Sequence, residues 1–192
     1  MSKGRLEAFS DGVLAVVITI MVLSLRPPAG DHWSDLHPLL PKLGVYLLSF
    51  VFVAIYWNNH HNLMHAVHRV SGGVLWANAH LLFWLSLTPV AAAWLGPHLG
   101  DSAPSAAYGI VLLGSGTAYG VLVQCLLRVE GPDSRLARAV GRDWKGWLSL
   151  VAYVAGIAVS PFVPWLSLAI YAGVAIGWLV PDRRMAPTGE EG

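Results

Sequence analysis

Four apolar runs, Leu6 to Leu25, Leu39 to Trp57, Val74 to Leu95 and Ala106 to Leu127, each come close to the roughly 20 residues a helix needs to cross a bilayer. A water-soluble domain could not hide them all, because about a third of the surface of a chain this size stays exposed after folding. A fifth stretch, Trp147 to Val180, is too long for one helix, and Pro161 and Pro164 break it where a tight turn would join two short spans. Only 12% of the 192 residues are charged, about half the share in an ordinary soluble domain. A mean hydropathy of +0.57 excludes disorder. The expected architecture is an all-α membrane protein: a single six-helix transmembrane domain over residues 1–192, with spans near 6–25, 39–57, 74–95, 106–127, 147–163 and 166–180.

Six passes put both termini on one side, and the positive-inside rule chooses that side. Lys3, Arg5, Arg69, Arg128, Arg135, Arg138, Arg142, Lys145, Arg183 and Arg184 fall with the termini, leaving only Arg26 and Lys42 opposite. The termini are therefore expected in the cytoplasm. Trp33, Trp94 and Trp165 would mark the outer interface, and Trp76, Trp144, Trp147 and Trp178 the inner one. Lys3 and Arg5 before an apolar run imitate a signal peptide, yet Glu7 and Asp11 interrupt it and Arg26, Pro27 and Pro28 stand where a cleavage site would. The segment reads as a retained helix.

The longest polar stretch, Glu130 to Lys145, suits a loop or a short surface helix. A net charge of +1 lacks the basic field that nucleic acid requires. The single Cys125 can form no internal disulfide. No phosphate loop, paired catalytic carboxylates or nucleophile elbow is visible, so no enzyme chemistry is expected. Without an internal repeat, a pore would have to form between chains.

The first span carries an acid. Asp11 lies about 8 Å along the helix from Leu6, deep enough to require a partner or water. One reading is a helix entrance, with Asp11 bound to headgroup water or Arg5. The other is a polar knot in which Asn78 and His80 of the third span, and Trp57, Asn58 and His61 at the end of the second, satisfy Asp11 and Ser10. Farther along, Val16, Thr19, Ile20 and Leu23 share one helix face. Such a stripe is a packing seam, a lipid-facing surface or a pore wall.

His60, His61, His65 and His68 cluster after the second span, and the last three share a face if that helix continues. They form an ordinary helix end contributing to the knot, a pH sensor, or a metal or haem site. The last choice supports an alternative reading, a haem- or metal-binding membrane redox protein. Gly109, Gly116 and Gly120, with Gly173 and Gly177, include two Gly-x-x-x-Gly pairs suited to close helix approach.

The segment RLEAFSDGVLAVVITIMVLSL, residues 5–25, resembles the first-helix signature of the transmembrane protein 175 family: an Arg, three residues, Phe-Ser-Asp, an aliphatic stretch, a Thr and a Leu. YWNNHHNLMH at 56–65 and LSLTP at 85–89 resemble its second-helix end and third helix. The resemblance implies a potassium-selective cation channel. Animal members carry two six-helix repeats and act in endosomes and lysosomes; bacterial members have one and assemble as homotetramers in the inner membrane, as this single copy would.

It further implies a pore lined by four first helices. Its constriction would be a hydrophobic gate of Val16, Ile20 and Leu23, with Thr19 on the same face, conducting potassium passively without a bound cofactor. Arg5, Phe9, Ser10 and Asp11 would form the motif network with Trp57, His61, Asn78 and His80. Val16 stands where Ile is more usual, which widens that layer, and Ile20 where Leu is commoner.

Overall fold

The computed structural model describes residues 2–141 and 143–179. Arg142, Arg183 and Arg184, counted in the topology, and Val180, at the end of the last expected span, lie outside the described residues. The described chain is helical, in the order α1 (Lys3–Leu23), α2 (Leu40–His65), α3 (Gly72–Ser86), α4 (Thr88–Leu95), α5 (Ser102–Glu130), α6 (Arg135–Val140), α7 (Trp144–Val159) and α8 (Pro164–Leu179). Short 3-10 turns, Trp33–Leu39 and Gly96–His98, precede α2 and follow α4.

Local chemistry sets most boundaries. Pro41 sits in the first turn of α2, where its missing N–H costs nothing. Ser71 caps α3, its Oγ accepting from the Val74 N–H at 3.4 Å. Asp143 caps α7 through Oδ1, which accepts from the Gly146 N–H at 2.9 Å. After α5 the chain reverses at Gly131, whose φ of 91° lies in the left-handed region. The third expected span is divided at Leu87 into α3 and α4, because Pro89 cannot donate to the carbonyl of Leu85 and its ring crowds that oxygen.

Four segments, Lys3–Leu23, Trp33–His65, Gly72–His98 and Ser102–Glu130, are long and apolar enough to cross a membrane. The hairpin α7–α8 turns at residues 160–163, around Pro161 and before Pro164. Each of its helices has 16 residues and so rises about 24 Å, less than the roughly 30 Å hydrocarbon core. The second span, expected to stop at Trp57, stays helical to His65.

Two apolar clusters hold the bundle. Leu6, Leu14, Val17 and Met21 of α1 pack with Val53, Met64, Val74, Leu81 and Leu122. Phe52, Leu95, Tyr108, Tyr153 and Tyr171 join α2, α4, α5, α7 and α8. Lipid leaves little hydrophobic drive between helices, and hydrogen bonds supplement the packing: Ser49 Oγ with Tyr108 Oη at 2.9 Å, Ser167 Oγ to the Gly156 carbonyl at 2.7 Å, and Trp178 Nε1 to Ser149 Oγ at 2.9 Å.

Of the two glycine pairs only Gly116 is a point of close approach within the chain, where a Cβ would come within 3.0 Å of Leu150 on α7. A Cβ at Gly120, Gly173 or Gly177 would meet nothing, whereas one at Gly109 or Gly156 would run into Tyr171 and one at Gly114 into Trp84. Aromatic rings, seated directly on bare backbone, demand glycine there.

Candidate functional site

The first helix has two unlike faces. Leu6, Ser10, Leu14, Val17 and Met21 recur at helical spacing and are buried. Opposite them, Phe9, Val16, Ile20 and Leu23 are 56%, 55%, 50% and 78% exposed. Asp11, Gly12 and Thr19 are exposed too, so this face has no covering within one chain. Thr19 Oγ1 donates to the carbonyl of Val16 at 2.8 Å. Its proton is thereby engaged, and the oxygen lone pairs are what Thr19 presents outward.

At the start of α1, a chain of hydrogen bonds crosses three helices. Ser10 Oγ donates to the Leu6 carbonyl at 2.9 Å and accepts from Asn78 Nδ2 at 2.9 Å. The amide oxygen of Asn78 lies 2.8 Å from His60 Nε2. Since that oxygen only accepts, His60 carries its proton on Nε2. Ser10, His60 and Asn78 are all buried, so each leaves little unsatisfied and α1 is fixed in rotation.

A second, exposed contact runs beside it, where Trp57 Nε1 donates to Asp11 Oδ1 at 3.0 Å. The Trp57 ring stacks on His61, their centroids 5.9 Å apart. These contacts give Asp11 a partner other than Arg5.

Two expected members do not belong as drawn. His80 is exposed and accepts from Trp84 Nε1 at 3.0 Å, one turn along its own helix. His61 touches the network only through the Trp57 ring, and the buried imidazole is His60. The signal was available: on an uninterrupted α2, Ser49, Phe52, Tyr56, His60 and Leu63 form one buried row. Helical continuation from Tyr56 selects His60.

The four histidines disperse. His60 points into the bundle, and His61 and His65 pair with each other at 3.1 Å between Nε2 atoms. His68 lies beyond the helix, where Glu130 accepts from its backbone N–H at 2.8 Å and from that of Arg69 at 2.9 Å. Among the described residues no group of three or more His, Cys, Asp or Glu side chains is arranged to hold a metal. The metal or haem alternative has no support in this geometry.

Residues 5–89, which contain both α1 and its partners, match the family model described as endosomal/lysosomal potassium channel TMEM175. Potassium channel HX13_20290 of Chryseobacterium sp. (strain P1-3) is 50% identical over 185 residues, covering 96% of each chain. The chain belongs to the TMEM175 family. Potassium channel B446_29190 of Streptomyces collinus is 31% identical over 152 residues, 71% of this chain and 74% of its own. The crystal structure of a lysosomal potassium-selective channel TMEM175 homolog from Chamaesiphon minutus superposes with a TM-score of 0.80 at 26% identity, covering 92% of this chain and 96% of that one. The described residues of this TMEM175-family chain form a bundle of apolar helices.

Proposed function

We propose that four copies of this chain assemble around a common axis as a potassium channel, with the exposed face of α1 as the pore wall. The observation that carries it is the two-sided first helix: one face is locked to α2 and α3 through Ser10, Asn78 and His60, while Val16, Thr19, Ile20 and Leu23 are exposed on the other. Rotational symmetry would turn each into a ring. The relatives named as potassium channels support the permeant ion.

Apolar rings offer an ion no replacement ligands, so passage costs whatever water must be stripped. Potassium holds its water less tightly than sodium and pays less. Val16, Ile20 and Leu23 would form the hydrophobic constriction, and the Thr19 oxygens would accept contact from a partly hydrated cation. Arg5 and Phe9, both exposed at the start of α1, would stand at the pore mouth.

The chain acts as one six-span unit with both termini cytoplasmic, in the inner membrane of a bacterium. Lys3, Arg5, Arg69, Arg128, Arg135, Arg138 and Lys145 lie toward the end of the bundle where α1 begins and α5 ends, against Arg26 and Lys42 at the other.

Flux into proteoliposomes tests the reading. Wild-type chain should pass potassium in preference to sodium, and Ile20→Asn or Leu23→Asn should wet the constriction and admit sodium. Unchanged preference in both variants would remove these residues from the filter, and no flux from the wild type would overturn the channel.

A further inference from the structure

A crevice of about 470 Å³ opens between α2, α5 and α7, beneath α6. That is within the usual range of small-molecule sites, roughly 300–1,000 Å³. Its walls are mainly apolar, with Phe52 and Ile55 on α2 and Leu150 and Tyr153 on α7. Gly116 and Gly120 line it from α5, and a Cβ at Gly120 would meet nothing within 4 Å. Gly116 lets Leu150 of α7 approach α5, whereas the bare backbone at Gly120 keeps this space empty.

The charged side chains of the crevice lie at one end, while Thr117 and Ser149 add hydroxyls along its walls. Arg128 and Asp143 line it at the end of α5 and the start of α7, and among the described residues they form no ion pair with each other. Among the described residues Arg128 has no hydrogen-bonding partner, and Asp143 spends Oδ1 on the Gly146 N–H. Trp147 on the rim is 73% exposed, so the crevice is open on one side. A mainly apolar slot, lined at one end by one cation and one anion at the level of an interfacial tryptophan, has the polarity profile of a membrane lipid.

We propose that this crevice holds one zwitterionic, amine-bearing phospholipid of the phosphatidylethanolamine type. Its acyl chain lies between Phe52 and Leu150 and over Gly120, its phosphate meets Arg128, and its ammonium meets Asp143. A lipid with an anionic headgroup and no amine would leave Asp143 facing like charge. The placement rests on the proposed assembly only in turning α5 and α7 toward lipid, and binding is read without ion flux, so the two can fail separately.

Native mass spectrometry of the detergent-solubilised full chain, titrated separately with phosphatidylethanolamine and phosphatidylglycerol, tests it. The expected result is one phosphatidylethanolamine per chain, bound about tenfold more tightly than phosphatidylglycerol, the factor expected of one charge-assisted contact. Gly120→Leu, which fills the slot, and Arg128→Gln should each weaken that binding about tenfold. Asp143→Asn keeps a good helix cap and should abolish the preference between the two lipids. Equal retention of both lipids by the wild type would overturn the proposal. So would wild-type retention of phosphatidylethanolamine in Arg128→Gln, an exposed position whose change leaves packing intact and so decides the matter if Gly120→Leu does not assemble.

Discussion

Asn78 is the hinge of the buried network, donating to Ser10 and accepting from His60. Asn78→Ala strands the Nε2–H of His60 in a buried site, and a buried polar group left unpaired costs about 1–3 kcal/mol. His80→Ala removes only an exposed contact with Trp84 on the same helix. Thermal unfolding of the two variants in one detergent should therefore separate them: a clearly lowered midpoint for Asn78→Ala and a near-wild-type midpoint for His80→Ala. Equal midpoints would dissolve the distinction between buried and exposed members. The types of residue in this network were legible, since Ser10 and Asn78 stand out as polar groups inside apolar spans. Choosing among His60, His61 and His80 was not, because that depends on rotation about α2 and α3, which neighbouring helices set.

At the scale of elements, the four long spans could be read from apolar run length, as could the hairpin turn near Pro161 and the short helix after Glu130. The end of α2 could not. The polar run Trp57-Asn58-Asn59-His60-His61 looks like an exit from the membrane, but polarity alone does not stop a helix, and no glycine or proline interrupts the chain before Gly72. Glycine roles were likewise hidden, because motif spacing does not reveal where a ring will land. Tyr171 lands on Gly109 and Gly156. Gly156→Ala overpacks α7 against α8 and should cost about 1–3 kcal/mol, whereas Gly177→Ala enters open space. Denaturation of both variants checks this, and comparable losses would mean that the tyrosine ring moves aside freely.

For the whole molecule, the central expectation is that first helices from separate chains meet. Leu23 is the most exposed of the stripe residues, at 78%. Leu23→Cys in a Cys125→Ala background should form disulfide-linked dimers on mild oxidation, while Val154→Cys on the outer surface of α7 should not. Monomers at both positions would mean that α1 lines no shared path. The expectation of assembly comes from the missing internal repeat and the family resemblance, since a bare apolar face looks the same whether lipid or another copy covers it.

The division of the third span at Leu87 gives α1 two separate supports. Its beginning is pinned to α3 by Ser10 and Asn78, while its far end, at Met21 and Ser24, rests beside Ala92 and Ala93 of α4. From Ser10 to Leu23 is about 20 Å of helix at 1.5 Å per residue. A pivot of about 5° between the halves would sweep Leu23 sideways by nearly 2 Å while Ser10 stayed in place, by the geometry of a rod that long. The first helix is thus mounted as a lever whose fulcrum is the buried knot and whose moving end, carrying Leu23, follows α4.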